Sequence, residues 1–261
     1  MSLVVPNGPQ RIVCLTEEPT EILYALGEGE RVVGISAYTE RPPEAKRDKP
    51  VVSAFIGGSV DKISALKPDL IIGFSDIQAE LAKKLISANL PVLIFNQRSV
   101  QEILDVIVSI GNLVGRGNEA RDLSASYVAK LAAVAEIPRS HRPGVYFEEW
   151  DEPAICGIQW VSELIEIAGG RDVFRDRSHG KLAKDRFVSS EEVVAAAPEV
   201  VLASWCGKAF DKSAFVARAG FEQLPAVQSG QVFEIAPEII LQPGPASLTD
   251  GLDALVAAIH G

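Results

Sequence analysis

The chain has 261 residues, enough to bury a full core as one large domain or as two lobes. A net charge of −10 with no basic cluster excludes nucleic acid as a partner, because phosphate binding needs a positive field. Hydrophobic residues at 47% and charged residues at 23% are ordinary for a globular protein, and no apolar run reaches the ~18–20 residues of a membrane span.

The opening segment MSLVVPNGPQ has no basic n-region and no long apolar core, so it does not read as a signal peptide. Two compartments stay open: the cytoplasm, or an extracytoplasmic site reached with an export signal that this chain does not carry. Cys14, Cys156 and Cys206 are too few and too scattered for a disulfide framework, and each is expected as a small side chain in apolar surroundings.

In chain order, RIVCL (11–15) predicts a strand and PTEILYALG (19–27) a helix, with Pro19 in its first turn and Gly27 as its stop. RVVGIS (31–36) predicts a second strand, and VVSAF (51–55) a short extended piece. A helix near 60–66, strand DLIIGF (69–74), a helix over 76–88 and strand PVLIFN (91–96) follow. Unbroken Val, Ile and Leu mark strands covered on both faces, as in a parallel sheet flanked by helices. SVQEILDVIVSIGNLVG reads as a helix, and 117–138 as one long helical segment whose apolar stripe is Leu123, Tyr127, Leu131 and Val134. The α/β alternation restarts with strand PGVYFEEW (143–150), helix WVSELIEIAGG (160–170), strand VVLASW (200–205), a helix near 211–219, strand QVFEI (231–235) and a terminal helix over about 245–259. The expected organisation is an α/β lobe over 1–115, a long connecting helix over 116–138 and a second α/β lobe over 139–261.

One sentence of sequence occurs twice. SVDKISALKPDLII, from Ser59, is answered by SEEVVAAAPEVVL, from Ser190. Asp61 matches Glu191, Ile63 matches Val193, Pro68 matches Pro198 and Asp69 matches Glu199. Each copy reads as a helix packed by an apolar residue, broken by proline, with an acid opening a buried strand.

These segments together resemble the substrate-binding proteins of importers for vitamin B12 and ferric siderophores. RIVCLTEEPTEILYALGEGERVVGISAYTERPPEA fits that family's opening strand, its helix beginning Thr-Glu and its strand leading to a Pro-Pro turn. VSAFIGGSVDKISALKPDLIIG and VSSEEVVAAAPEVVL fit its paired signatures, and the likeness runs from Arg11 to the end. The resemblance implies two Rossmann-like lobes with mainly parallel sheets, joined by one long helix, with a ligand cleft between the lobes. It also implies no catalysis, no intrinsic cofactor, a monomer, a periplasmic or other extracytoplasmic location and an ABC transporter permease dimer as partner. By that resemblance Asp61 and Glu191 are exposed docking acids that meet basic residues of the permease. Each is equally readable as a charge favoured by a helix start, and Glu192 lies one position from the expected contact.

In open α/β sheets ligands bind beyond the carboxyl ends of strands. The candidate ligand-binding residues there are Glu17, Glu18, Tyr38, Phe55, Phe74, Glu149, Trp150 and Trp205. Aromatic residues are 7% of the chain yet collect at these ends, as a wide, flat, mostly apolar ligand such as a corrin requires. Strand-end core packing is the alternative for Phe55 and Phe74, and Trp160 is expected in the core. The positions matching Tyr38, Phe55 and Phe74 line the pocket in the family's B12 binders. Where relatives often carry an arginine before the last helix, this chain has Pro245-Ala246, which disfavours an anionic siderophore. Glu17, Glu18, Glu148 and Glu149 tilt the site toward amide donors or a cationic edge. His141, His179 and His260 share no metal-ligand spacing, so no metal site is expected.

The leading expectation is thus a binder of a cobalamin-like corrinoid that serves an ABC importer. Ferric siderophore and haem are alternative ligands. A cytoplasmic corrinoid-handling protein or an enzyme on the same fold is the alternative class, against which stands the lack of G-x-G-x-x-G, P-loop and G-x-S-x-G motifs.

Overall fold

A computed structural model describes residues 7–261; the opening residues 1–6, which carry part of the signal-peptide reading, lie outside the described residues. The chain divides into two compact units, one formed by residues up to Gln97 with Gln101–Ser126, the other by Arg98–Val100 with Tyr127–Gly261.

The first unit carries a five-stranded, wholly parallel sheet. Its elements are β1 (Ile12–Cys14), α1 (Glu17–Ala25), β2 (Val32–Ser36), α2 (Pro43–Asp48), β3 (Val51–Ser53), α3 (Val60–Ala65), β4 (Leu70–Phe74), α4 (Ala79–Ser87) and β5 (Val92–Phe95). The strand order is β3-β2-β1-β4-β5, so the chain reverses its direction of travel between β1 and β4. Ile12, Val13, Ile71 and Ile72 are fully buried, as unbroken aliphatic strands between helical layers must be. Helix α5 (Val100–Leu113) follows, and α6 (Gly117–Ala135) runs through the division between the units. On α6 Leu131 is buried and Leu123, Tyr127 and Val134 are half-buried, which is the stripe expected from the spacing.

The second unit holds β6 (Gly144–Asp151), β7 (Ala154–Cys156), α7 (Gln159–Ile167), β8 (Arg171–Asp172), α8 (Arg175–Ser178), α9 (Ser190–Ala196), β9 (Val200–Ala203), α10 (Lys212–Val216), α11 (Pro225–Ser229), β10 (Val232–Glu234), α12 (Pro237–Ile240) and α13 (Leu252–His260). Its sheet runs β10-β9-β6-β7, with β8 pairing β6. The pairs are parallel except β6–β7, a hairpin that sequence patterning overlooks because the strand AIC is only three residues long. The fold is therefore α/β with two mainly parallel sheets. The terminal helix begins as a π turn over Ser247–Gly251 before α13.

The repeated sentence folds the same way in both units. Ser59 and Ser189 each accept a hydrogen bond from the backbone three residues on, capping α3 and α9. Ile63 and Val193 are buried. Lys67 and Ala197, just before the two prolines, both take a left-handed backbone (φ +48° and +44°) that turns the chain from helix to strand. The acids that follow then tie two strands together. Asp69 accepts from the Gln10 and Arg11 amides at 2.7 Å each, at the entrance to β1, and Glu199 accepts from the Gly144 amide at 2.9 Å, at the entrance to β6.

Candidate functional site: the carboxyl ends of the two sheets

In the first unit the reversal between β1 and β4 leaves a crevice beyond their carboxyl ends, the usual ligand position of such sheets. One buried amide organises it. Gln78 donates to the Leu15 carbonyl (3.3 Å) and the Phe55 carbonyl (3.0 Å) and accepts from the Phe74 amide (3.1 Å), so three strand ends are stapled by one side chain. It fits because residue 73 is glycine: a Cβ there would lie 2.4 Å from the Gln78 Oε1. Ser53 adds a hydroxyl bond to the Leu15 carbonyl at 3.2 Å. Ser75, the first residue after β4, has φ +64°, a strained backbone of the kind that collects at binding sites.

The candidates of this unit divide by exposure. Tyr38 is exposed and Phe55 half-buried, while Phe74 is buried. Ile56 and Ile77, 65% and 40% exposed, widen the apolar surface beside them. Glu17 and Glu18 are buried at the start of α1. The Thr16 hydroxyl donates to one Glu18 oxygen at 2.9 Å, and the other oxygen has no hydrogen-bond partner. Burial pushes the Glu18 carboxyl up to about 7, against the opposing pull of its own backbone amide and Thr16.

In the second unit a buried charge network does the equivalent work. Glu148, fully buried on β6, receives both Arg218 nitrogens (2.6 and 2.9 Å), the Trp205 indole N–H (3.1 Å) and the Tyr146 hydroxyl (2.9 Å). Desolvation by burial, reinforced by the Glu148 charge, holds the Tyr146 phenol well above its ordinary value, so it stays a donor. Glu149 is clamped by Arg186 at 2.5 and 2.9 Å, and Arg186 also donates to the Cys156 carbonyl. For Glu148 and Glu149, the expectation of carboxylates turned to a ligand's amide donors or cationic edge is corrected: each is matched by a guanidinium, and carboxylates so paired offer a ligand little net charge. Trp205 is buried and edge-on to Phe210 (5.0 Å, 82°), Trp150 is half-buried, and Trp160 is buried with its indole N–H on the Ile240 carbonyl, in the core as expected.

Sequence reasoning missed Gln78, Arg186, Arg218 and Lys208. Arg186 and Arg218 stand 37 and 70 positions from their partners, and nothing local marks them. A surface cavity of about 630 Å³ lies at the opposite edge of the second sheet, lined by Pro138, His141, Pro143, Glu199, Gln231 and His260. It contains no aromatic residue other than histidine and sits at strand starts rather than strand ends.

The two predicted docking acids are exposed in the first turns of α3 and α9. Glu192 is committed elsewhere. It caps the Ser189 amide at 2.8 Å and pairs with Arg177 at 2.6 and 3.1 Å, leaving Glu191 as the outward acid of that turn. Among the described residues no helix is long and apolar enough to cross a membrane, and no group of three His, Cys, Asp or Glu is placed to hold a metal ion.

Residues 12–239 match the family described as periplasmic binding protein. An ABC transporter substrate-binding lipoprotein, YvrC of Bacillus subtilis, is 26% identical over 99% of this chain and 82% of its own length. A vitamin B12-binding protein of Vibrio campbellii is 30% identical over 76% of this chain and 72% of its own. The periplasmic haem-binding protein RhuT of Roseiflexus, in its apo form, superposes with a TM-score of 0.80 at 25% identity, over 97% of this chain and all of that one. This chain belongs to the periplasmic binding protein family.

Proposed function

We propose that the chain is the substrate-binding component of an ABC importer and captures a corrinoid of the cobalamin type at the carboxyl ends of its two sheets. The observation that carries this reading is the accumulation of aromatic side chains at those ends: exposed Tyr38 and half-buried Phe55 in one unit, half-buried Trp150 and buried Trp205 in the other. These faces rest on buried frames made by Gln78 and by Glu148–Arg218, so little ordering remains to be done on binding. The relatives named for vitamin B12 support the ligand class. The exposed acids Asp61 and Glu191, at equivalent places in a repeated unit, suit two-point docking on a twofold permease.

Haem is a second reading, favoured by the exposed phenol of Tyr38, which is a known type of axial haem ligand. Titration with cyanocobalamin, cobinamide, haemin and a ferric siderophore, each followed by Trp fluorescence and visible absorption, separates the two. The corrinoid reading expects saturable quenching by a corrinoid. Haemin binding with a spectrum that changes in Tyr38→Phe assigns the haem reading, and saturation by neither macrocycle rejects both.

A further inference from the structure

The surface beyond β6 and β9 in the second unit is built around a positive charge. The Lys208 ammonium lies 4.5 Å from the ring centre of Trp150 and 4.7 Å from that of Trp205, and both Asp151 oxygens stand 2.7 Å from it. Two indole faces and a carboxylate around one nitrogen make the arrangement by which proteins recognise alkylammonium groups. Burial pushes the Asp151 carboxyl up, but the hydrogen bond and charge of Lys208 outweigh it, and the carboxyl sits below its ordinary value.

The two indoles and the backbone that carries Asp151 are held by contacts other than the lysine. Trp205 is fixed by its indole bond to the fully buried Glu148 and by its edge contact with Phe210. Trp150 and Asp151 belong to β6, paired across to Ile155 and Ala154 of β7, and the Trp150 indole N–H donates to the Glu152 carbonyl at 3.1 Å. The occupant, by contrast, comes from a turn. Lys208 follows Gly207, whose φ of +83° suits only glycine-like backbone and whose surroundings are open. Its amide reaches the Trp205 carbonyl at 3.5 Å, the far limit of a hydrogen bond, and its side chain is 41% exposed.

We propose that Trp150, Trp205 and Asp151 form a subsite for an alkylammonium group of a ligand, and that Lys208 is a tethered stand-in which such a group displaces. This rests on the reading of the strand ends as the ligand-binding end, but not on a corrinoid as the ligand. A tethered ammonium competes at millimolar effective concentration, so an external cation binds weakly until the lysine is removed.

The test is titration of the full chain and of Lys208→Ala with choline, and with its uncharged isostere 3,3-dimethylbutan-1-ol, by calorimetry and Trp fluorescence. Lys208→Ala is expected to bind choline at least about tenfold more tightly than the parent, to prefer choline over the neutral alcohol, and to lose both properties when Asp151→Asn is added. Equal affinity for the two probes, or no saturable binding to Lys208→Ala, overturns the proposal whatever the corrinoid titration shows. If Lys208→Ala does not fold, Lys208→Gln, which keeps part of the stem and removes the charge, carries the same expectations.

Discussion

Replacing Arg218 by Met removes the two nitrogens that neutralise Glu148 and leaves a fully buried carboxylate with only the Trp205 and Tyr146 donors. Breaking one side of a buried ion pair costs about 3–5 kcal/mol, because the remaining charge stays desolvated. The guanidinium also stacks on Phe215 and Phe221, at 4.9 and 5.5 Å, but the methionine stem covers much of that apolar contact. At roughly 2–4 °C per kcal/mol for a chain of this size, the expected fall in melting temperature is roughly 6–20 °C. Differential scanning calorimetry and urea unfolding measure it. Adding Glu148→Gln to Arg218→Met removes the stranded charge; the amide oxygen still accepts from Trp205 and the amide NH2 donates to the Tyr146 hydroxyl, which turns to accept, so the double variant should regain at least half of the loss. A single variant that loses less than about 1 kcal/mol, or a double variant no better than the single one, refutes the view that Glu148 is a charged keystone of the second unit's strand ends.

Two further perturbations follow from the same geometry. The Glu18 carboxyl, pushed up to about 7 from an ordinary 4.5, keeps its proton in the folded chain over a range where the unfolded chain has lost it. Its contribution therefore weakens stability as pH rises through about 4.5 to 7, by about 3 kcal/mol in total, and Glu18→Gln should gain that much on the parent between pH 4 and pH 8 in urea unfolding. A difference that does not change with pH would count against a protonated Glu18. Reversing the exposed acids in Asp61→Lys/Glu191→Lys should abolish stimulation of the importer's ATPase in proteoliposomes while changing ligand affinity less than twofold, whereas unchanged stimulation removes these acids from docking.

The parallel sheets, the order of elements and the repeat were legible because they rest on local signals. Aliphatic runs marked the strands, and Pro68 and Pro198 marked equivalent corners. The repeat is structural as well as chemical: Asp69 and Glu199 receive strand amides 58 and 55 positions away, a role that no local pattern displays. The strand ends were found from the Rossmann rule and the collected aromatics. Their polar furniture was not, because Gln78 serves carbonyls 23 and 63 positions away, and Arg218 crosses 70 positions to reach Glu148. Glu149 and Glu148 read as free anions in the sequence since a glutamate carries no mark of its partner. Nothing local marks Lys208 as a partner of Trp150, and only the register of β6 against β9 brings it between two indoles.

Hydrogen exchange with and without the macrocycle that titrates is the most direct measurement of where the ligand sits. Protection is expected at the amides of 36–39, 53–58, 74–78, 148–151 and 203–208, the ends of the strands in both units. Protection confined instead to 138–144, 199–200 and 259–261, around the His141 cavity at the strand starts, contradicts the account.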